Sequence, residues 1–169
     1  MSHKHRENFE HCLRVALICE YISCAKGMSV EKAHNAFAAG MLHDLMKGRK
    51  RGGSKHAKLG KELAKRMGMP KSVCNAIAVH NCKDQEKILL EKNVAKILFI
   101  ADKIDKPNKP KYRKKQYPKP IDDMFEALGR EAFRPTKSRR EKEKSLDSCI
   151  MLWFRIKRKM EAYDDERRY

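Results

Sequence analysis

A chain of 169 residues, 41% hydrophobic and 37% charged, suits one domain with a thin core, and it lacks the roughly 20 consecutive apolar residues of a membrane span. Its 40 Lys and Arg against 22 Asp and Glu leave a formal net charge of +18, a field that gathers anions such as nucleotides or RNA, with a merely solvated basic surface as the plainer alternative. Six cysteines at positions 12, 19, 24, 74, 82 and 149 form no CxxC pair and fit no zinc spacing; with no signal segment, they read as free thiols of a reduced, cytoplasmic protein.

Ala, Leu, Met, Lys and Glu dominate, and β-branched runs are few, so the composition predicts an all-α fold. The first helix is expected over residues 7–25, where His11, Val15, Ile18 and Ile22 recur on one face, with Gly27 at its C-cap. His3 and His5 read as a mobile terminus before it. Ser29 caps a second helix, expected to reach Met46, whose inner face holds Ala33, Ala36, Phe37, Gly40, His43, Asp44 and Lys47. A basic glycine loop, residues 48–53, follows. Ser54 is placed at the cap of a third helix carrying His56, Leu59, Gly60, Leu63 and Met67. Gly68 and Pro70 separate it from a fourth helix with Val73, Ala76, Ile77 and His80 on one face. A fifth is expected over residues 88–104, aligning Val94, Leu98, Ala101 and Asp102. Four prolines and many cations exclude a helix over residues 106–120. Two more helices are expected at 121–133 and 145–163, joined by a charged linker over 134–144.

The chemistry is carried by polar residues on apolar faces. His11, His43, Asp44, His56, His80 and Asp102 fall on, or at the ends of, five successive helices. One histidine in such a place is ordinarily a hydrogen-bonded core residue. Six imidazole and carboxylate positions together are a donor set for a divalent metal, since a buried Asp is costly unless paired or metal-bound. His34 falls off the apolar stripe and reads as a surface residue.

The order His11, then Leu42-His43-Asp44-Leu45-Met46-Lys47, then Ala101-Asp102-Lys103-Ile104, resembles the HD-domain metal-dependent phosphohydrolases, over roughly residues 7–106. The resemblance implies an HD helical bundle of about five core helices plus two C-terminal ones. Residues 1–106 would be the hydrolase domain. Residues 107–169 would be a basic Pro-containing loop and C-terminal helices that pack on the domain or extend from it. It implies that His11, His43, Asp44 and Asp102 hold a first metal. In two-metal branches Asp44 bridges, and His56 and His80 help hold a second. The divalent ions could be iron, manganese, zinc or magnesium. His56-Ala57-Lys58-Leu59-Gly60 matches the family's HxxxG element, and Lys47 matches a lysine that faces the substrate phosphates. Asp44 and Lys47 would thus be catalytic, with Arg14, Arg49 and Arg51 at the substrate.

Within the family, the HDxxK form, the HxxxG element, the lone His80 and the sequence from Ala101 to Pro107 look most like bacterial enzymes that split diadenosine tetraphosphate symmetrically. Those enzymes usually carry a longer insertion between Asp44 and His56, and Glu-Pro where this chain has Asp105-Lys106-Pro107. The family's cyclic dinucleotide phosphodiesterases typically have a His pair at His80-Asn81. The expected activity is hydrolysis of a nucleotide's phosphoanhydride or phosphoester bond by water activated on metal. The alternatives are a nuclease for RNA or single-stranded DNA, drawn by the basic surface, and a non-catalytic RNA-binding protein, which the intact ligand set disfavours. No membrane partner is expected.

Overall fold

The computed structural model describes residues 3–47, 55–108 and 119–166, and among them are only helices, turns and irregular segments. In chain order the α-helices are α1 (His3–Ala25), α2 (Val30–Leu42), α3 (His56–Arg66), α4 (Lys71–Val79), α5 (Gln85–Leu89), α6 (Asn93–Ile104), α7 (Lys119–Ala132) and α8 (Arg139–Glu166). A 3-10 turn, Lys106–Asn108, follows α6. The protein is all-α, as its composition predicts.

Helix α6 is the axis of the fold. Its residues 94–103 are all buried, and its three charged members, Lys96, Asp102 and Lys103, each find a polar partner. It packs against α1, α2, α4 and α8. Around it, α1 and α2 form a hairpin closed by Gly27, whose φ of 58° supplies the left-handed turn after α1. The two helices approach most closely at Gly40, where a Cβ would lie 2.5 Å from Ala16 Cα. Gly60 does the same for α3 and α4 more gently, its absent Cβ lying 3.0 Å from Ile77 Cγ2.

The C-terminal helices lie on this core. Leu146, Cys149, Ile150, Trp153, Phe154 and Met160 make one buried face of α8. Lys96 of α6 pairs with Asp147 of α8 at 2.7 Å. Lys26, fully buried after α1, donates to the carbonyls of Glu131 and Arg134 and to Ser145 Oγ. Burial pushes its ammonium below the usual lysine value, while those oxygens replace water around it.

Several expected boundaries differ. Helix α1 already includes His3 and His5. Helix α2 ends at Leu42 instead of reaching Met46; residues 43–47 tighten into turns with bonds from Leu45 N to Leu42 O and from Lys47 N to Asp44 O. Ser29 does occupy the cap position of α2, without a side-chain cap bond. Ser54 lies outside the described residues, and Lys55 stands at the cap position of α3. The expected helix over 88–104 is two helices, broken where Leu90 turns out to solvent at 87% exposure. Asp84 caps the first of them by accepting from Lys87 N. Residues 139–144 are helical rather than linker. Ser138 and Glu141 form a reciprocal cap there, with bonds from Glu141 N to Ser138 Oγ and from Ser138 N to Glu141 Oε2. Among the described residues no helix is long and apolar enough to cross a membrane.

Candidate metal centre

The packing of α1, α2 and α6 brings three buried residues together. His11 comes from the middle of α1, His43 follows the last residue of α2, and Asp102 lies in the last turn of α6. His11 Nε2 lies 3.2 Å from His43 Nε2 and 3.2 Å from Asp102 Oδ1, which is 3.8 Å from His43 Nε2. Asp44 stands beside them because the chain tightens after Leu42, and its backbone carbonyl accepts from Asn8 Nδ2 of α1. Asp44 Oδ2 is 3.6 Å from both His11 Nε2 and His43 Nε2.

The other oxygen of Asp44 faces a second group. Oδ1 lies 3.3 Å from Nε2 of His56, the first residue of α3, and 3.5 Å from Nε2 of His80, which caps α4. Those two nitrogens are 3.2 Å apart. Each group, His11 with His43 and Asp44, and Asp44 with His56 and His80, gathers its ligand atoms within 4.8 Å.

Protonation states follow from what holds each ring. His43 Nδ1 donates to Gly40 O and His80 Nδ1 to Ile77 O, both at 2.7 Å. His11 Nδ1 donates to Asp105 Oδ2 at 2.6 Å. A neutral ring that carries its proton on Nδ1 offers a lone pair on Nε2. His56 Nε2 is hydrogen-bonded to Asn81 Nδ2 at 2.7 Å. Among the rings whose proton is so fixed, acceptor atoms therefore face one another: His11 Nε2 lies against His43 Nε2 and Asp102 Oδ1, and His80 Nε2 against Asp44 Oδ1. Asp44 Oδ1, fully buried, has no hydrogen-bond partner among the described residues. This arrangement is unfavourable by itself and favourable around cations, so the residues present fit divalent metal.

Burial alone would raise the Asp44 carboxyl, but the imidazoles of His56 and His80, then His43 and Lys47, outweigh it and hold the group far below the usual carboxylate range. Burial lowers His80, which keeps its ring neutral and available as a donor. Asp105 is likewise lowered against the pull of burial, by His11 and then by Arg14.

Lys47 Nζ is hydrogen-bonded to Asp44 Oδ2, and its side chain is half exposed, so it links the buried carboxylate to solvent. Arg14, expected at the substrate, grips Asp105 through Nε at 2.7 Å and Nη2 at 3.1 Å, behind His11. Arg49 and Arg51 lie outside the described residues, as does the rest of the glycine loop. His34 is exposed on α2. The sequence reading did not single out Asp105, Asn81 or Asn8. A signal existed for Asp105: it follows Asp102 by three residues, so both carboxylates project from one side of the helix end, one to each nitrogen of His11.

The family described as HD domain matches residues 8–106. A ribonuclease Y of Nitratidesulfovibrio vulgaris strain DP4 is 30% identical over 118 residues, which is 68% of this chain and 21% of that protein. Ribonuclease Y of Geotalea uraniireducens is 31% identical over 120 residues, 69% of this chain and 22% of the relative. Ribonuclease Y of Desulfotalea psychrophila is 34% identical over 84 residues, 48% of this chain and 15% of the relative. The chain thus spans about a fifth or less of the length of these curated relatives. No solved structure matches it.

Proposed function

The chain belongs to the HD domain family, and from that premise we propose that it is a metal-dependent phosphodiester hydrolase acting on RNA. The observation that carries this reading is the carboxylate of Asp44, one oxygen turned to each of two pairs of buried imidazoles. In it His11, His43, Asp44 and Asp102 hold one divalent ion, and Asp44, His56 and His80 hold a second. Iron, manganese, zinc and magnesium are the candidates, because a mixed nitrogen and oxygen donor set does not choose sharply among them.

Such ions supply Lewis acidity, polarising phosphoryl oxygens and lowering the pKa of water toward about 7. The chain's own residues set up the rest. The hydrogen bonds at Nδ1 of His11, His43 and His80 fix each ring so that its donor atom cannot turn away. Lys47, at the edge of the cluster, meets charge on a phosphate as a point charge. Burial of the ligand atoms keeps bulk water from competing with them.

Two features shift the substrate from diadenosine tetraphosphate toward RNA. The relatives quoted above are named as ribonucleases. The net charge of +18 suits a polyanion longer than one nucleotide. The test offers metal-loaded protein a single-stranded RNA oligonucleotide and diadenosine tetraphosphate in parallel, at low and moderate salt. RNA is expected to be cleaved, with binding that weakens steeply as salt rises. Cleavage of the dinucleotide with RNA left intact would move the substrate back to small nucleotides. No cleavage of either by metal-loaded protein would overturn the hydrolase reading.

A further inference from the structure

Next to Asp102 lies a lysine that the proposed chemistry leaves unused. Lys103 is only 7% exposed, unusual for a residue that normally keeps its charge in water. Its Nζ donates to Asp102 Oδ2 at 2.6 Å and to the backbone carbonyl of His80 at 3.2 Å. It therefore touches one ligand from each metal group, a carboxylate of the first and the main chain of the second. Asp102 Oδ1 is the oxygen left facing His11 Nε2.

The ammonium is held from the other side by aromatic rings. It lies 4.7 Å from the centre of Phe99, one turn earlier on α6, and 5.8 Å from the centre of Trp153 on α8. Ring faces are negative and attract a desolvated cation. Trp153 is buried, and Lys106 Nζ stands 4.3 Å over it. Trp153 belongs to a helix outside the residues that match the family, 8–106.

We propose that Lys103 is a positioning residue that withholds one oxygen of Asp102 from the metal, and that the aromatic roof from α6 and α8 keeps it in place. The proposal rests on the metal-binding reading given above. A carboxylate with both oxygens free can occupy two positions on one ion. Lys47, half exposed, can swing off Asp44 when an ion binds, whereas Lys103 is buried and held on three sides, so Asp102 would offer only Oδ1 and leave a position for water or substrate, as a catalytic site requires. The C-terminal helix α8 then acts on the metal centre through Lys103.

Lys103→Met tests this, because it keeps the apolar stem and removes the ammonium. Metal affinity should stay the same or tighten, up to about tenfold, while turnover falls about 10- to 100-fold. Cobalt(II)-loaded protein should lose visible absorption intensity, the mark of a higher coordination number, and Lys103→Arg should restore both signals. If affinity and turnover fall together, or neither changes, Lys103 is not withholding an oxygen and the proposal fails. Should Lys103→Met not fold, Trp153→Leu carries the test and should show the same split more weakly; a parallel loss of metal and rate in it overturns the proposal. Wild-type protein that binds no metal overturns both readings. Wild-type protein that binds metal but cleaves no substrate overturns only the hydrolase reading, and the cobalt absorption still decides for Lys103.

Discussion

The two halves of the candidate metal centre are built differently. The first takes His11 and Asp102 from within α1 and α6 and adds His43 after α2. The second takes His56 from the first residue of α3 and His80 from the cap of α4. The first has two carboxylates, Asp44 and Asp102, and both its rings are anchored, one by a carboxylate that Arg14 holds in turn. The second shares only Asp44, and of its rings His80 is anchored on a carbonyl. The extra carboxylate favours the first half, so it should fill first and release last.

The largest effect is expected from a change that breaks both halves. Asp44→Ala should remove all turnover above background and empty at least the second half-site, read by elemental analysis of the purified protein. Wild-type metal content in that variant would contradict the shared role of Asp44. Next come the changes that separate the halves. His56→Ala should lower metal content by about one ion per chain and cost several kcal/mol of transition-state stabilisation, roughly a thousandfold in rate. His11→Ala should instead weaken the tighter half, seen as earlier loss of metal to a chelator. If His56→Ala is the variant that loses the tighter ion, the order of the halves is reversed.

Lys47→Ala should leave both halves filled and slow turnover about 100- to 1,000-fold, because one contact to the reacting phosphate is lost. Unchanged rates at saturating substrate would remove Lys47 from the chemistry. Asp105→Asn touches only the first half. It should weaken metal there about 10- to 100-fold, since the ring of His11 loses its charged acceptor. Equal weakening at both half-sites in a metal titration would contradict that assignment.

The smallest effects come from the glycines behind each half. Gly40→Ala gains about 1 kcal/mol of helix propensity. However, its Cβ would meet the backbone of Ala16 at 2.5 Å, so the helices must separate, at a net cost of about 1–3 kcal/mol. Gly60→Ala meets only a methyl group of Ile77 at 3.0 Å, which can shift. Thermal melts of chelated protein should show a clear fall in Tm for the first and little change for the second. A larger fall for Gly60→Ala would mean that α3 and α4 are packed more tightly than α1 and α2.

Much of the fold was legible because it repeats locally. The face of α1 through His11, Val15, Ile18 and Ile22, and the glycine and proline punctuation around α4, are short-range patterns. The break between α5 and α6 was not legible, because no glycine or proline marks it. Leu90 continues an apolar run yet faces solvent, while Ile88 and Val94 on either side are buried. The capping pair Ser138 and Glu141 was readable from its spacing and would have started α8 earlier than expected. The six candidate ligands could be picked out because histidine and aspartate stand out on apolar faces. Their support could not, because Asp105 meets His11 across 94 positions of sequence and Trp153 meets Lys103 across 50. A charged residue such as Arg14 looks the same in sequence whether it meets a substrate or another side chain, and only packing assigns it to Asp105.

The division of one carboxylate between the two halves makes their occupancies a single thermodynamic system. A first ion would fix the orientation of Asp44 and spare a second that entropy, while its charge would repel the second across the same group. Whichever of these is larger, the factor by which an ion in one half changes affinity in the other is the same in both directions. With both ions bound, a substitution that touches only His80 would therefore be felt at His11, and a chelator titration of one half would carry the coupling to the other.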